Sequence, residues 1–299
     1  MTDLELPASP QPLMTPDGRR LDVWLAGPAE ATPLVFHAGT PGAGLPFAPF
    51  VGELAARGLR YVGFSRAGYG SSTRRPGRAV ADVVEDTRLV LDSIGAGSAW
   101  VAGWSGGGPH ALACAALMAD RVLGTALIAS VAPYPAEGLD FMAGMGAENI
   151  EEFQAAIDGS EALIAFKERN WPIFRAVTAA EIGDALGDLV DDVDYGSIRD
   201  EFADWLASLF REGLRESYWG WYDDDMAFVR PWGFELGSIT GPVHIWQGAH
   251  DRMVPFAHGE WLADHVGGSC VHLHPEHGHL SLAVDSTGAI LDELVGTGR

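Results

Sequence analysis

Three separated segments carry residues that could transfer an acyl group together. They are Gly103-Trp104-Ser105-Gly106-Gly107, Gly248-Ala249-His250-Asp251 and His277-Gly278-His279. A serine hydroxyl is a poor nucleophile at neutral pH. It needs a base to take its proton, and the base needs an acid to orient it. Ser105 follows an apolar run, Ala99–Trp104, and precedes a helix-prone run from His110 to Ala119. That reads as strand, tight turn, helix, with the serine at the turn and its hydroxyl beside a helix N-terminus that favours negative charge. Glycines at 103 and 107 suit such a turn, because side chains there would collide with neighbouring elements. The chain holds 38 glycines, so a G-x-S-x-G match arises easily by chance. The surrounding elements must decide.

Those elements alternate. Pro16-Asp17-Gly18 reads as the turn of a hairpin whose second strand is Leu21–Ala26. Strands are expected at Pro33–Phe36, Leu59–Phe64, Ala99–Trp104 and Val122–Ser130, with helices at Leu45–Arg57 and Ala79–Ile94. Alternating strand and helix implies a mostly parallel sheet covered on both faces. After Pro133-Tyr134-Pro135 the alternation stops. Residues 136–238 lack strand patterning and carry helical stretches at Ile150–Ile157, Glu161–Arg169, Ala179–Val190 and Ile198–Arg215. The rhythm resumes with a strand at Val243–Gln247, a helix at Phe256–Val266, a strand at Cys270–His274 and a helix from Leu280 to Val295. The reading is an α/β core of residues 1–135 and 239–299 interrupted by a helical cap, 136–238.

In this order Asp251 and His279 each follow a late strand, on the sheet edge where Ser105 also sits, and that edge is where open α/β sheets place their sites. The chain therefore resembles the α/β-hydrolase fold serine hydrolases, whose chain order is Ser, Asp, His. The resemblance covers nearly everything outside the cap. It implies Ser105 as nucleophile, His279 as general base and acid, and Asp251 as the orienting acid, with no cofactor. Were Asp251 not the acid, Glu137 or Asp140 would be next in line. An elbow serine, where related dehalogenases and epoxide hydrolases carry aspartate, points to an acyl-enzyme.

Fixed donors must meet the transition-state charge. The backbone N–H of Gly106 is one candidate. The other is Thr40, in His37-Ala38-Gly39-Thr40-Pro41-Gly42, which resembles the family's His-Gly-x-Pro-Gly loop. Here Ala38 stands where the family usually has histidine, so the usual bracing of that loop is in question. Arg66, in Ser65-Arg66-Ala67-Gly68-Tyr69-Gly70, reads as a structural brace. Among the other histidines, His277 lacks the preceding glycine of the family pattern, His250 reads as a loop residue and His110 as a helix residue. His272 and His274 share a strand face, but no further metal ligands can be assembled around them, so no metal site is expected. Trp104, Trp171, Trp219 and Trp221 are the candidate pocket residues.

Composition sets the outer limits. At 299 residues and 47% hydrophobic content, the chain can build a large core. A net charge of −22 argues against nucleic acid and anionic membranes as partners. Residues 136–238 hold 23 Asp and Glu against 7 Lys and Arg, either a solvated surface or an acidic mouth. The first twelve residues lack a signal-peptide pattern, no apolar run is long enough to span a membrane, and Cys114 and Cys270 read as reduced thiols. A cytoplasmic monomer or homodimer acting on a small molecule is expected. The leading reading is an ester or lactone hydrolase for a small, largely apolar substrate. The alternatives are a proline-iminopeptidase-like exopeptidase, which would use the cap's acids, and a non-catalytic receptor on the same fold.

Overall fold

A computed structural model describes residues 6–296. The termini that the sequence reading assigned to the core, 1–5 and 297–299, lie outside the described residues. Eight strands form one sheet: β1 (Gln11–Met14), β2 (Arg20–Ala26), β3 (Thr32–His37), β4 (Leu59–Phe64), β5 (Ala99–Trp104), β6 (Val122–Ile128), β7 (Val243–Gly248) and β8 (Cys270–His274). Their order is β1-β2-β4-β3-β5-β6-β7-β8. The first hairpin and the β2–β4 pair are antiparallel, and every later pair is parallel.

Side-chain alternation along the strands divides the core in two. Leu34, Phe36, Trp100, Ala102, Trp104, Ile128 and Trp246 belong to one buried cluster; Val35, Val101, Leu127 and Ile245 belong to the other. The first face is covered by α1 (Ala48–Ala56), α11 (His279–Asp285) and α12 (Thr287–Gly296). The second is covered by α2 (Val83–Ser93), α3 (Gly108–Leu117) and α10 (Phe256–His265).

Between β6 and β7 run α4 (Ala147–Asp158), α5 (Ser160–Phe174), α6 (Ile182–Leu186), α7 (Asp192–Tyr195), α8 (Asp200–Gly213) and α9 (Trp219–Phe228). Some boundaries differ from the pattern reading. The stretch 179–190 supports only the short α6, because Gly187 takes a left-handed φ of 52° and ends the helix. The final helix is two helices that meet at Ser286, where Ser286-Thr287-Gly288 supplies three weak helix formers in a row. Helices α7 and α9 have no counterpart in the expected elements. Among the described residues no helix is long and apolar enough to cross a membrane.

Candidate active site

Ser105 sits directly after β5 with a left-handed φ of 56°, a conformation that costs a side-chain-bearing residue energy and marks a forced turn. The flanking glycines are sterically required. A Cβ on Gly107 would run into the carbonyl of His37, and one on Gly103 into the backbone of Gly107. The turn thus packs against the end of β3 and holds the serine at the carboxyl edge of the sheet. Gly106 lies against Thr40: a Cβ there would come within 2.5 Å of the threonine Oγ1.

Asp251 and His279 meet. His279 Nδ1 is 2.8 Å from Asp251 Oδ2, and both side chains are buried. The carboxylate is held from three further directions. Gln247 Nε2 donates to Oδ2 at 2.9 Å, and the backbone N–H groups of Met253 and Val254 donate to Oδ1 at 2.9 and 2.7 Å. Burial lifts the Asp251 carboxyl above its usual range, against the opposing pull of His279. Burial also opposes charge on His279, but the charge and hydrogen bond of Asp251 outweigh it and raise the imidazole pKa. Nδ1 therefore carries the proton toward Asp251, which leaves Nε2 as the basic nitrogen. No hydrogen bond joins Ser105 to His279 in this structure. Glu137 and Asp140, the reserve acids, do not contact His279. His277 packs its ring edge-on to His274, and His250 Nδ1 meets Asp191 at 2.7 Å.

Two aspartates from the helices between β6 and β7 hold these candidate residues in place, and sequence reasoning missed both. Asp194 of α7 accepts the backbone N–H groups of His279, Leu280 and Ser281 at 2.7, 3.0 and 2.9 Å, and the Ser281 hydroxyl at 2.8 Å. It caps α11 from a distant part of the chain and anchors the residue that presents the imidazole. It also accounts for Gly278, where a Cβ would lie 2.5 Å from the Asp194 carboxylate.

Asp224 of α9 is fully buried. It accepts from Thr40 Oγ1 at 2.7 Å and Tyr69 Oη at 2.8 Å, pairs with Arg66 at 2.5 Å and Arg78 at 2.6 Å, and lies 3.3 Å from His110 Nε2. Burial would raise its carboxyl, but the two guanidiniums and His110 override that and hold it well below the usual carboxylate range. Burial, followed by the charge of Arg66, lowers His110 to about 4, so its ring is neutral. Arg66 also donates to the Ala38 carbonyl at 2.6 Å. This network braces the loop after β3, in place of the histidine that Ala38 replaces. The neighbouring His37 ring is buried instead against Cys114 Sγ, 3.5 Å away.

Thr40, Ser105 and Gly106 open onto one cavity of about 50 Å³, closed by Val131, Asn149, Glu152, Phe153, Asp225, Phe228, Met253 and Val254. That is room for on the order of four waters. None of the four expected tryptophans lines it. The Trp104 ring lies 5.5 Å from the His279 ring and lines a separate apolar cavity with Phe36, Phe47, Phe202 and Trp205. Trp171 donates to the Leu214 carbonyl, and Trp219 stacks under Arg74. Trp221 is buried under Lys167, 3.6 Å from its ring centroid. Lys167 is itself buried and paired with both Glu152 and Asp225.

A sequence-family profile described as alpha/beta hydrolase fold matches residues 32–163. Solved structures match over nearly the full length. A hydrolase from Pseudomonas aeruginosa is 19% identical, with a TM-score of 0.70 over 97% of this chain and 99% of that one. An esterase from Exiguobacterium antarcticum is 20% identical, with a TM-score of 0.69 over 97% and 99%. An enol-lactonase from Burkholderia xenovorans is 18% identical, with a TM-score of 0.69 over 96% and 99%.

Proposed function

With the α/β-hydrolase fold as premise, we propose that this chain is a serine hydrolase that cleaves a carboxylic ester or lactone through an acyl-enzyme on Ser105. The observation that carries the reading is the buried Asp251–His279 pair on the sheet edge that also holds the strained Ser105 turn. His279 Nε2 takes the Ser105 proton as the hydroxyl attacks the carbonyl carbon, and Asp251 stabilises the imidazolium that results. The backbone N–H groups of Gly106 and Thr40 receive the oxyanion. Collapse of the tetrahedral intermediate expels the alcohol, protonated by His279. Water attacks the acyl-enzyme by the same steps in reverse roles. Helices α4–α9, residues 136–238, act as a cap on a core of 1–135 and 239–299. The narrow cavity with Phe153, Phe228 and Met253 in its wall suits a small acyl group.

The exopeptidase reading has one supporting observation: Glu152 and Asp225 stand in the cavity wall beside Ser105, where a substrate ammonium could pair with them. Lys167 already occupies that role, which favours the ester reading. The test compares turnover of short-chain aryl esters, a lactone panel and proline anilide by the parent chain and by Ser105→Ala. Serine-dependent ester or lactone turnover is expected. Efficient release of proline would overturn that choice, and a complete lack of serine-dependent turnover and of fluorophosphonate labelling at Ser105 would overturn the mechanism.

A further inference from the structure

Far from Ser105, two strands and the last helix bring together donors that the proposed hydrolysis does not use. His244 lies on β7, four residues before the strand ends, which is about 13 Å of extended chain from the edge carrying Asp251. In the β7–β8 register His244 stands opposite Cys270, and Trp246 stands opposite His272, so His244 and His272 share a face. That face packs against α12, which contributes Glu293. One ligand atom from each of His244, His272 and Glu293 lies within 4.8 Å of the other two.

Ring stacking explains part of this arrangement. His272 stacks on Trp246 at 3.9 Å and 9°, and His244 lies 5.9 Å from His272 at 17°. Stacking leaves the nitrogens unexplained. His244 is 0% exposed, yet neither of its ring nitrogens has a hydrogen-bond partner, and His272 Nε2 is also buried without one. Buried polar atoms are nearly always satisfied, and here three unpartnered imidazole nitrogens cluster beside one carboxylate, which a bound group would satisfy.

We infer that His244, His272 and Glu293 form a binding site for one divalent transition-metal ion of the zinc class, clamping α12 to strands β7 and β8. Two imidazoles and a carboxylate are a nitrogen–oxygen donor set that suits zinc, cobalt or nickel better than calcium or magnesium. Metal–ligand bonds near about 2.1 Å require the donors to close in slightly, and the exposed Glu293 side chain can make that movement. The ion satisfies one nitrogen on each histidine and leaves a coordination position for water. Its role is structural, because it lies away from the serine edge.

The test starts from chelator-treated full-length protein titrated with Zn²⁺ against a chromogenic chelator, with bound metal counted by elemental analysis. One Zn²⁺ per chain is expected, with a rise in Tm on the order of 5 °C at saturating metal. Cobalt should give the visible bands of a low-coordinate ion. His272→Asn should abolish stoichiometric binding, and Glu293→Gln should weaken it about tenfold or more. Both positions are at least partly exposed, so both variants should fold. Cys270→Ser and His274→Asn should bind as the parent does. Absence of stoichiometric binding by the parent, or unchanged binding by both His272→Asn and Glu293→Gln, would overturn the site.

Discussion

At the scale of single residues, the proposed chemistry rests on three side chains with unequal roles. Ser105→Ala should leave a folded protein whose esterase rate falls by about 10⁶-fold, to the assay floor; circular dichroism and initial rates on an aryl ester check both halves. Asp251→Asn should cost about 10⁴-fold in kcat by presenting the wrong face or tautomer of His279. A near-normal rate in that variant would mean that another acid orients the imidazole. The pH profile carries a sharper prediction. The Asp251 charge raises the His279 pKa, so kcat/KM should rise with pH through a midpoint above the ordinary histidine value of 6.5. In Asp251→Asn that limb should move to lower pH, because the larger raising influence is gone and only the weaker pull of the Asp194 charge then opposes burial. A limb that stays in place would sever the link between the two residues.

At the scale of elements, the helices between β6 and β7 supply residues that hold the proposed site. Asp194 reaches from α7 to cap α11, so Asp194→Ala strips three backbone N–H groups of their acceptor. The expected loss is about 2 kcal/mol of stability, together with a fall in kcat as His279 loosens; urea unfolding and steady-state rates measure the two. Asp224 joins α9 to the loops after β3 and β4. Asp224→Asn would leave Arg66 and Arg78 buried with their shared countercharge removed, at a cost of about 3–5 kcal/mol. Thr40→Val removes the hydroxyl's bond to the same carboxylate and the one it accepts from Arg66, but leaves both charges paired; it should lower kcat while the fold persists, so the catalytic effect can be read apart from stability.

For the molecule as a whole, charge is the dominant global feature. A net charge of −22 on 299 residues implies self-repulsion in the compact state. Several anions are paired internally: Asp224 lies between two arginines, and Glu152 and Asp225 share the single charge of Lys167. The exposed remainder is open to screening. Raising salt from about 10 mM to about 300 mM at neutral pH should therefore raise Tm, since the Debye length falls from about 30 Å to under 10 Å. A Tm that falls with salt would mean that attractive pairs outweigh the net repulsion.

The core strands and their mostly parallel arrangement were legible in the chain, and so were the candidate serine turn, aspartate and histidine. Their signals are local: an apolar run, a glycine on each side of a serine, a histidine after a glycine at a helix start. The bracing residues were hidden because their partners are distant in sequence. Asp224 sits in Trp219–Phe228, where three aspartates beside aromatic residues give no amphipathic stripe, and its meaning depends on Arg66 and Arg78, roughly 150 residues earlier. Asp194 looks like one more acid in an acidic stretch until α7 is laid against α11. The tryptophans misled for the reverse reason. Abundance between β6 and β7 suggested a pocket, but which way a side chain faces is set by packing, and Trp104 and Ser105, adjacent in the chain, line different cavities. Local backbone preferences write strands, turns and helix starts into the sequence, whereas cavities and buried charge pairs exist only once distant segments have packed together.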